Sequence, residues 1–353
     1  MKILFLTRYG SQGASSRLRS FQFLPSFQAS GVECPVSSLF ENELLLEKYK
    51  HGRYSILGVL SAYWRRIHAL VGQNAFNLLW VEKEALPWLP AWMEQLLLRG
   101  KPYVLDFDDA IFHNYDLHRS VLVRRIYGMR IDRLMAGARL VVAGNDYLAA
   151  RARAAGARKV EILPTVVDTL RYSPKPAYVS SEKLRVVWIG SPSTVQYLKQ
   201  LADPLLELAK RHPFTLRVIG GGELEMPGLD LEAMPWSIDT EAQAIASCDI
   251  GIMPLKDTPW EQGKCAYKLI QYMACGLPTV CSPIGANRDV VIEGRTGFFA
   301  DTSVDWVQKL ESLLRDSALR ERMGRAGRER VEIEYSLSRI APRLVKLLTA
   351  VGG

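Results

Sequence analysis

Short, almost wholly apolar runs alternate along the chain with longer stretches whose apolar residues recur every three or four positions, and the alternation restarts once. In the first half the runs KILFLT, NLLWVE, PYVLDF, RLVVAG and VEILPT are each followed by polar or helix-forming sequence. In the second, LRVVWIG, TLRVIGGG, DIGIMPL, LPTVCSP and GFFA are separated by helical segments such as TEAQAIASC and KCAYKLIQYMAC. Runs of this kind suit parallel strands covered by helices on both faces. The pattern predicts an α/β protein with two doubly wound, Rossmann-like domains, residues 1–170 and 171–335, facing each other across a cleft at the carboxyl ends of their strands. A stretch rich in Pro and Ser around 171–183 joins them, and helices after residue 303 close the second.

Composition narrows the class. With 48% hydrophobic and 23% charged residues in 353, the chain reads as globular and not disordered. It has no run of about 18 apolar residues, and Arg8 interrupts the opening apolar stretch, so a cytoplasmic protein is expected. Five cysteines (Cys34, Cys248, Cys265, Cys275, Cys281) form neither a CxxC pair nor a ligand cluster with histidine and read as packing residues. The formal charge of +8 admits nucleic acid, an anionic membrane or a phosphorylated small molecule. Arg119, Arg124, Arg125, Arg130 and Arg133 crowd one predicted helix, and Arg320, Arg322, Arg325, Arg328 and Arg330 another; solvated faces account for both. No basic run, zinc spacing or aromatic strand platform supports nucleic acid as a partner.

The densest chemical signal is DTPWEQGKCAYKLIQYMACGLPTVCSPIGANRDVVIEGRTGFFAD, residues 257–301. A loop ending at Gly263 leads into a helix expected from about Lys264 to Cys275, stopped by Gly276 and Pro278. The spacing puts Lys264, Lys268, Gln271 and Tyr272 on one face. The N–H groups and positive potential of a helix start suit a diphosphate, and two lysines add charge. An exposed lysine pair on an ordinary amphipathic helix is the other account.

QYMACGLPTVCSPIGANRDVV resembles the donor-binding signature of family-4 retaining glycosyltransferases, the glycosyl transferases group 1. The likeness continues in order through EILPTVVDTLRY, VVWIGSPST, LRVIGG and ASCDIGIMPL, and the motifs DFDDA and GKxxYKLIQYMA resemble a narrower subgroup. The resemblance implies the GT-B architecture, a last helix (336–353) packed back on the first domain, a nucleoside diphosphate sugar as donor, no other cofactor, no metal, and transfer with retention of configuration. The family's two glutamates, eight positions apart, fall here on Gly263 and Gln271, with Glu261 two residues earlier; the Gln271 amide is expected to serve the ribose hydroxyls. The Arg and Lys usual after the first donor-domain strand are replaced by Gly190, Ser191, Pro192, Ser193 and Thr194. Phosphate binding then rests on Lys264, Lys268, the backbone N–H groups of 190–194 and the Ser193 and Thr194 hydroxyls, with turn chemistry and a helix cap as the bland account. The loop Gly285, Ala286, Asn287, Arg288 with Asp289 is implied to touch the transferred sugar; Asp289 as a helix cap is the alternative.

In the first domain KPYVLDFDDAIF puts Asp106, Asp108 and Asp109 at the end of an apolar strand, where three carboxylates require a cation, a sugar or a base. By resemblance Asp108 takes the place of a histidine near the reacting centre, and Asp106 and Asp109 join acceptor recognition. A metal there would find only His113 as a further ligand, and helix capping is the structural account. The loop after the first strand, TRYGSQGASSRLRSFQFLP, offers Gly10, Gly13, Ser15, Ser16, Arg17 and Arg19 to an anion but is not G-x-G-x-x-G, which disfavours a nicotinamide cofactor. Between 54 and 98, Trp64, Trp80, Trp88 and Trp92 alternate with Arg65, Arg66 and leucines; core packing explains them, or a peripheral contact with an anionic membrane at its inner face or with a lipid-linked acceptor. The function expected is sugar transfer, hexosyl in type, to a glycan or lipid-linked acceptor. The alternatives are a nucleotide-sugar epimerase of the same fold and a non-catalytic basic membrane- or nucleic-acid-binding protein.

Overall fold

The computed structural model describes residues 1–72, 75–174 and 183–353, so most of the Pro- and Ser-rich stretch lies outside the described residues. The chain divides into two compact units: Met1–Thr165 with Gln262–Cys265 and Ile340–Gly353, and Val166–Glu261 with Ala266–Arg339.

The first unit holds β1 (Ile3–Tyr9), β2 (Val36–Phe40), β3 (Leu78–Glu82), β4 (Tyr103–Phe107), β5 (Leu140–Ala143) and β6 (Val160–Ile162) in one parallel sheet of order β2-β1-β3-β4-β5-β6. The chain runs from β1 to one side and returns to the other at β3, so the switch point lies between their carboxyl ends. Every residue of β3, β4 and β5 is buried, which is why their sequences are continuous apolar runs. The helix Ile56–Val71 is tied down by Arg66, whose guanidinium donates to the carbonyls of Thr7 (2.6 Å), Ser37 (2.9 Å) and Ala85 (3.2 Å). Burial lowers the Arg66 pKa to about 10 against the pull of Glu94 and Glu82. The last helix, Leu337–Gly352, ends where a Cβ on Gly352 would lie 3.2 Å from Leu78 Cβ, at the start of β3.

The second unit holds β7 (Leu184–Ile189), β8 (Phe214–Ile219), β9 (Asp230–Met234), β10 (Ile250–Met253), β11 (Thr279–Cys281) and β12 (Gly297–Phe299), all parallel, in the order β12-β11-β10-β7-β8-β9. Its switch point is between β7 and β10. Alternation along β7 feeds two cores: Val187 and Ile189 pack with the helix Tyr267–Ala274, and Val186 and Trp188 with the helices Ala202–Arg211 and Ser303–Arg315.

Among the described residues, ten of the twelve strands coincide with the apolar runs. The two that do not, β2 and β9, are edge strands with half-exposed residues, VSSLF and DLEAM, and so lack a continuous apolar signal. Of the arginines expected on one solvated helix between 119 and 133, Arg119 precedes the helices, Arg124 and Arg125 lie on Val121–Tyr127 and Arg130 and Arg133 on Arg130–Gly137, and Arg130 is buried against Glu94 (2.6 Å) and Glu84 (3.3 Å). On the helix Ser317–Glu334, Arg320 is buried and donates to Leu313 O, while Arg328 donates to the carbonyls of Tyr172, Ala274 and Thr169. Those two are structural ties and not solvated charges. Among the described residues no helix is long and apolar enough to cross a membrane.

Candidate functional site

At the β7/β10 switch point of the second unit the helix Tyr267–Ala274 begins after Ala266, which is in the left-handed region (φ 52°), and ends before Gly276 (φ 73°). Lys264 therefore lies in the preceding loop and counts with the first unit, and the expected common face of Lys264, Lys268 and Gln271 does not form. The helix is anchored by Tyr272, whose hydroxyl accepts the Ile189 N–H of β7 (2.9 Å) and donates to Ile252 O of β10 (3.3 Å). That anchor sets Lys268, second residue of the helix, with its ammonium 4.3 Å from the ring centroid of Trp188. The Trp188 indole is fully buried and its Nε1 has no hydrogen-bond partner among the described residues.

The turn after β7 is held by its own hydroxyls. Thr194 N donates to Ser191 O (2.9 Å), Ser191 N to Thr194 Oγ1 (3.1 Å), and the Ser191 and Ser193 hydroxyls lie 2.8 Å apart. This is the turn chemistry given above as the bland account, but Thr194 caps no helix with its side chain. Gly190 is required: a Cβ there would meet the Trp188 ring at 2.4 Å and Thr194 Oγ1 at 2.8 Å. Gln271, expected to serve the ribose hydroxyls, sits in a buried polar network. It is buried, and its amide nitrogen donates to the Tyr172 hydroxyl (2.8 Å), which donates to Glu241 (2.8 Å); Arg171 and Trp236 complete that network. Glu261 is likewise buried, taken by the hydroxyls of Tyr197 and Thr258. In the loop after β11, Gly285 has φ 51°, Asn287 is buried with its amide on Ser282 O (2.9 Å), and Ala286 is buried. Arg288 and Asp289 are exposed; Ala286 occupies the cap position of the helix Asn287–Val290, and Asp289 stands in its first turn.

In the first unit the carboxylates after β4 are met by cations. Asp106, opposite Glu82 in the β3–β4 register, is fully buried and bound by Arg19 through three contacts (2.5, 3.0 and 3.2 Å); Arg19 also donates to Leu163 O. Asp106 is thereby a structural partner, removed from acceptor contact, and its charge keeps Arg19 protonated against burial. Asp108 lies 2.8 Å from the ammonium of Lys83, Asp109 lies 3.7 Å from Lys83 and 3.7 Å from Lys264, and Lys83 donates to Ser15 (3.0 Å). Burial works against charge on both carboxyls. For Asp108 it is outweighed by Lys83, Arg19 and Ser15, which hold the group below the usual carboxylate range; for Asp109 burial prevails and the group is raised. Lys83, absent from the sequence reading, stands at the carboxyl end of β3 with φ 65°, a conformation that costs energy for a non-glycine residue. Its signal was the charged triplet Glu82-Lys83-Glu84, which closes a buried strand and runs on past it.

The loop after β1 is less open to an anion than expected. Ser16 is buried, donating to Glu82 (2.6 Å) and accepting from Tyr9 N (2.9 Å); a Cβ on Gly13 would collide with Tyr9 Cβ at 2.3 Å; Arg17 is half-buried with Gln12 O at 3.5 Å. Gly263, where the resemblance places the family's first glutamate, has no room for a side chain, since a Cβ would lie 2.5 Å from Ala110 Cβ and 2.7 Å from Ala110 N. His113 is engaged by Asp116 and Tyr147, both at 2.8 Å. Among the described residues no three His, Cys, Asp or Glu side chains gather as metal ligands.

Residues 183–316 match the family described as glycosyl transferases group 1. That stretch contains the turn 190–194, Lys268 and the loop 285–289. Over 158 residues the chain is 31% identical to the sulfoquinovosyl transferase SQD2 of Arabidopsis thaliana, covering 41% of this chain and 28% of that one. Over 180 residues it is 31% identical to the spore coat protein SA of Bacillus subtilis, covering 46% and 48%. The match spans less than half the length of either relative. The solved structures reach further: HepE of Anabaena, in complex with UDP-glucose, is similar over 99% of this chain and 100% of its own (TM-score 0.75, 18% identity). Sucrose-phosphate synthase of Thermosynechococcus elongatus is similar over 99% of both (TM-score 0.71, 13% identity). The fold is of the GT-B type, α/β with two Rossmann-like sheets.

Proposed function

We propose that this chain is a glycosyltransferase that moves a sugar from a nucleoside diphosphate to a glycan or lipid-linked hydroxyl, with retention of configuration and without a metal ion or other cofactor. One observation carries the reading: the stretch matching glycosyl transferases group 1 contains the groups gathered at the β7/β10 switch point, where an open α/β sheet takes its ligand. The likeness to HepE solved with UDP-glucose supports a sugar nucleotide as donor.

In this reading Lys268 and the N–H groups of the turn Gly190, Ser191, Ser193 and Thr194 receive the diphosphate, and Gly285 to Asp289 receive the sugar. As the bond from the anomeric carbon to the phosphate oxygen breaks, charge collects on that oxygen, and the Lys268 ammonium stabilises it. The acceptor oxygen bonds to the anomeric carbon on the same face and passes its proton to the departing phosphate. In the first unit, Asp108 accepts a hydrogen bond from the acceptor, Asp109 assists, and Lys264 and Arg17 supply positive charge.

A thermal-shift series with UDP, GDP, ADP and dTDP tests the donor half. A nucleotide at a hundred times its dissociation constant adds about 2.7 kcal/mol, and Lys268→Ala removes the shift. If no nucleotide raises the melting temperature at millimolar concentration, the reading falls.

A further inference from the structure

The outer surface of the first unit carries apolar side chains that its core does not use. The helix Val121–Tyr127 buries none of its residues, with Val121, Leu122 and Ile126 exposed by 67%, 65% and 54%. Leu117 and Met129 beside it are exposed as well. On the helix Ile56–Val71 the inner face is Ala62, Arg66 and Leu70, whereas Ile56, Leu57, Leu60 and Trp64 recur at helical spacing on the outer one. Trp88, Trp92 and Leu96 form a third exposed group, so of the four tryptophans between 54 and 98 only Trp80 is in the core. The groups are linked: the Tyr63 hydroxyl donates to Pro87 O (2.6 Å), and the Trp88 ring lies 6.0 Å from His118 and 6.3 Å from Tyr127.

Charge on these stretches has one sign. Across 54–72, 85–101 and 117–129 the sole acidic residue is Glu94, which is fully buried. Arg65, Arg99, Arg119, Arg124 and Arg125 are exposed; an acid from outside, Glu41, reaches Arg65 at 3.5 Å. Apolar ridges rimmed by arginine match a bilayer surface, in which the apolar side chains enter the acyl boundary and the guanidinium groups meet lipid phosphates. A second copy of the same face would bring arginine against arginine.

We propose that this face of the first unit, centred on the helices Val121–Tyr127 and Ile56–Val71, seats the protein peripherally on a bilayer containing anionic lipid. The proposal does not depend on the sugar-transfer reading.

The test is co-sedimentation of the full chain with vesicles of phosphatidylcholine, alone or mixed with phosphatidylglycerol. The protein sediments with the mixed vesicles, not with phosphatidylcholine alone, and salt weakens the binding. Arg124→Ala with Arg125→Ala lowers partitioning by roughly tenfold or more, and Leu122→Glu with Ile126→Glu abolishes it. Both variants melt with the parent, because the altered side chains are exposed. Failure to bind anionic vesicles at low salt overturns the proposal, as does equal binding by the glutamate variant. So does a wild-type dimer in light scattering that the glutamate variant converts to monomer, which would make the face a self-interface.

Discussion

Lys83→Met removes the ammonium that Asp108 and Asp109 share while keeping the length of the side chain. Lys83 is almost wholly buried, 2.8 Å from Asp108 and 3.7 Å from Asp109. Taking one partner from a buried ion pair costs roughly 3–5 kcal/mol, because the other charge is left uncompensated. Asp109 retains Lys264 at 3.7 Å, and Asp108 retains Arg19 and Ser15 as favourable neighbours, which places the loss at the lower end, about 3 kcal/mol. At roughly 2–4 °C per kcal/mol for a unit of this size, the first unit melts about 6–12 °C lower. The pH dependence carries a second signature. In the parent the folded-state pKa of Asp108 is depressed, so its contribution is present above the unfolded carboxylate pKa and is lost as pH falls through the folded one. In the variant, burial without Lys83 raises that pKa, and protonation relieves the penalty as pH falls. The gap between parent and variant is therefore widest near neutrality and narrows below about pH 5. Adding Asp108→Asn to Lys83→Met recovers part of the loss, because no bare charge remains. Denaturant unfolding followed by circular dichroism at several pH values measures all three. A loss below about 1 kcal/mol that does not change with pH would refute the ion-pair account.

Gly263→Ala, whose Cβ meets the Ala110 backbone, lowers stability by about 1–3 kcal/mol in the same unfolding assay, and an unaffected protein would show that the loop yields freely. Asp106→Asn strands the buried Arg19 guanidinium and costs roughly 3 kcal/mol, whereas Asp289→Asn, at an exposed position, leaves the midpoint within about 0.5 kcal/mol. Thiol titration of the native protein at pH 8 finds at most Cys34, slowly, since burial raises its pKa to about 11 and the other four cysteines are buried; unfolding exposes all five.

Much of the fold was legible in the sequence where a strand's own residues record its burial. LLWVE, YVLDF and LVVA are each buried throughout, and a continuous apolar run is the local trace of a strand covered on both faces. The edge strands VSSLF and DLEAM were missed because half-exposure leaves no such trace. The glycine and proline that stop the helix Tyr267–Ala274 were equally plain, but its start was not: Ala266 in the left-handed region is a backbone conformation that an alanine does not announce.

By itself, then, the sequence determined two doubly wound units and the stretches that line their switch points, since strand order and crossover follow from local pattern and chirality. Which charges are paired with one another was decided only in three dimensions. Arg19 neutralises Asp106 from 87 residues away, Glu241 takes the Tyr172 hydroxyl from 69 away, and Lys83, at the end of the neighbouring strand, stands 2.8 Å from Asp108. Coulomb energy and hydrogen bonding depend on distance through space, and DFDDA reads the same whether its carboxylates face a ligand or a buried cation.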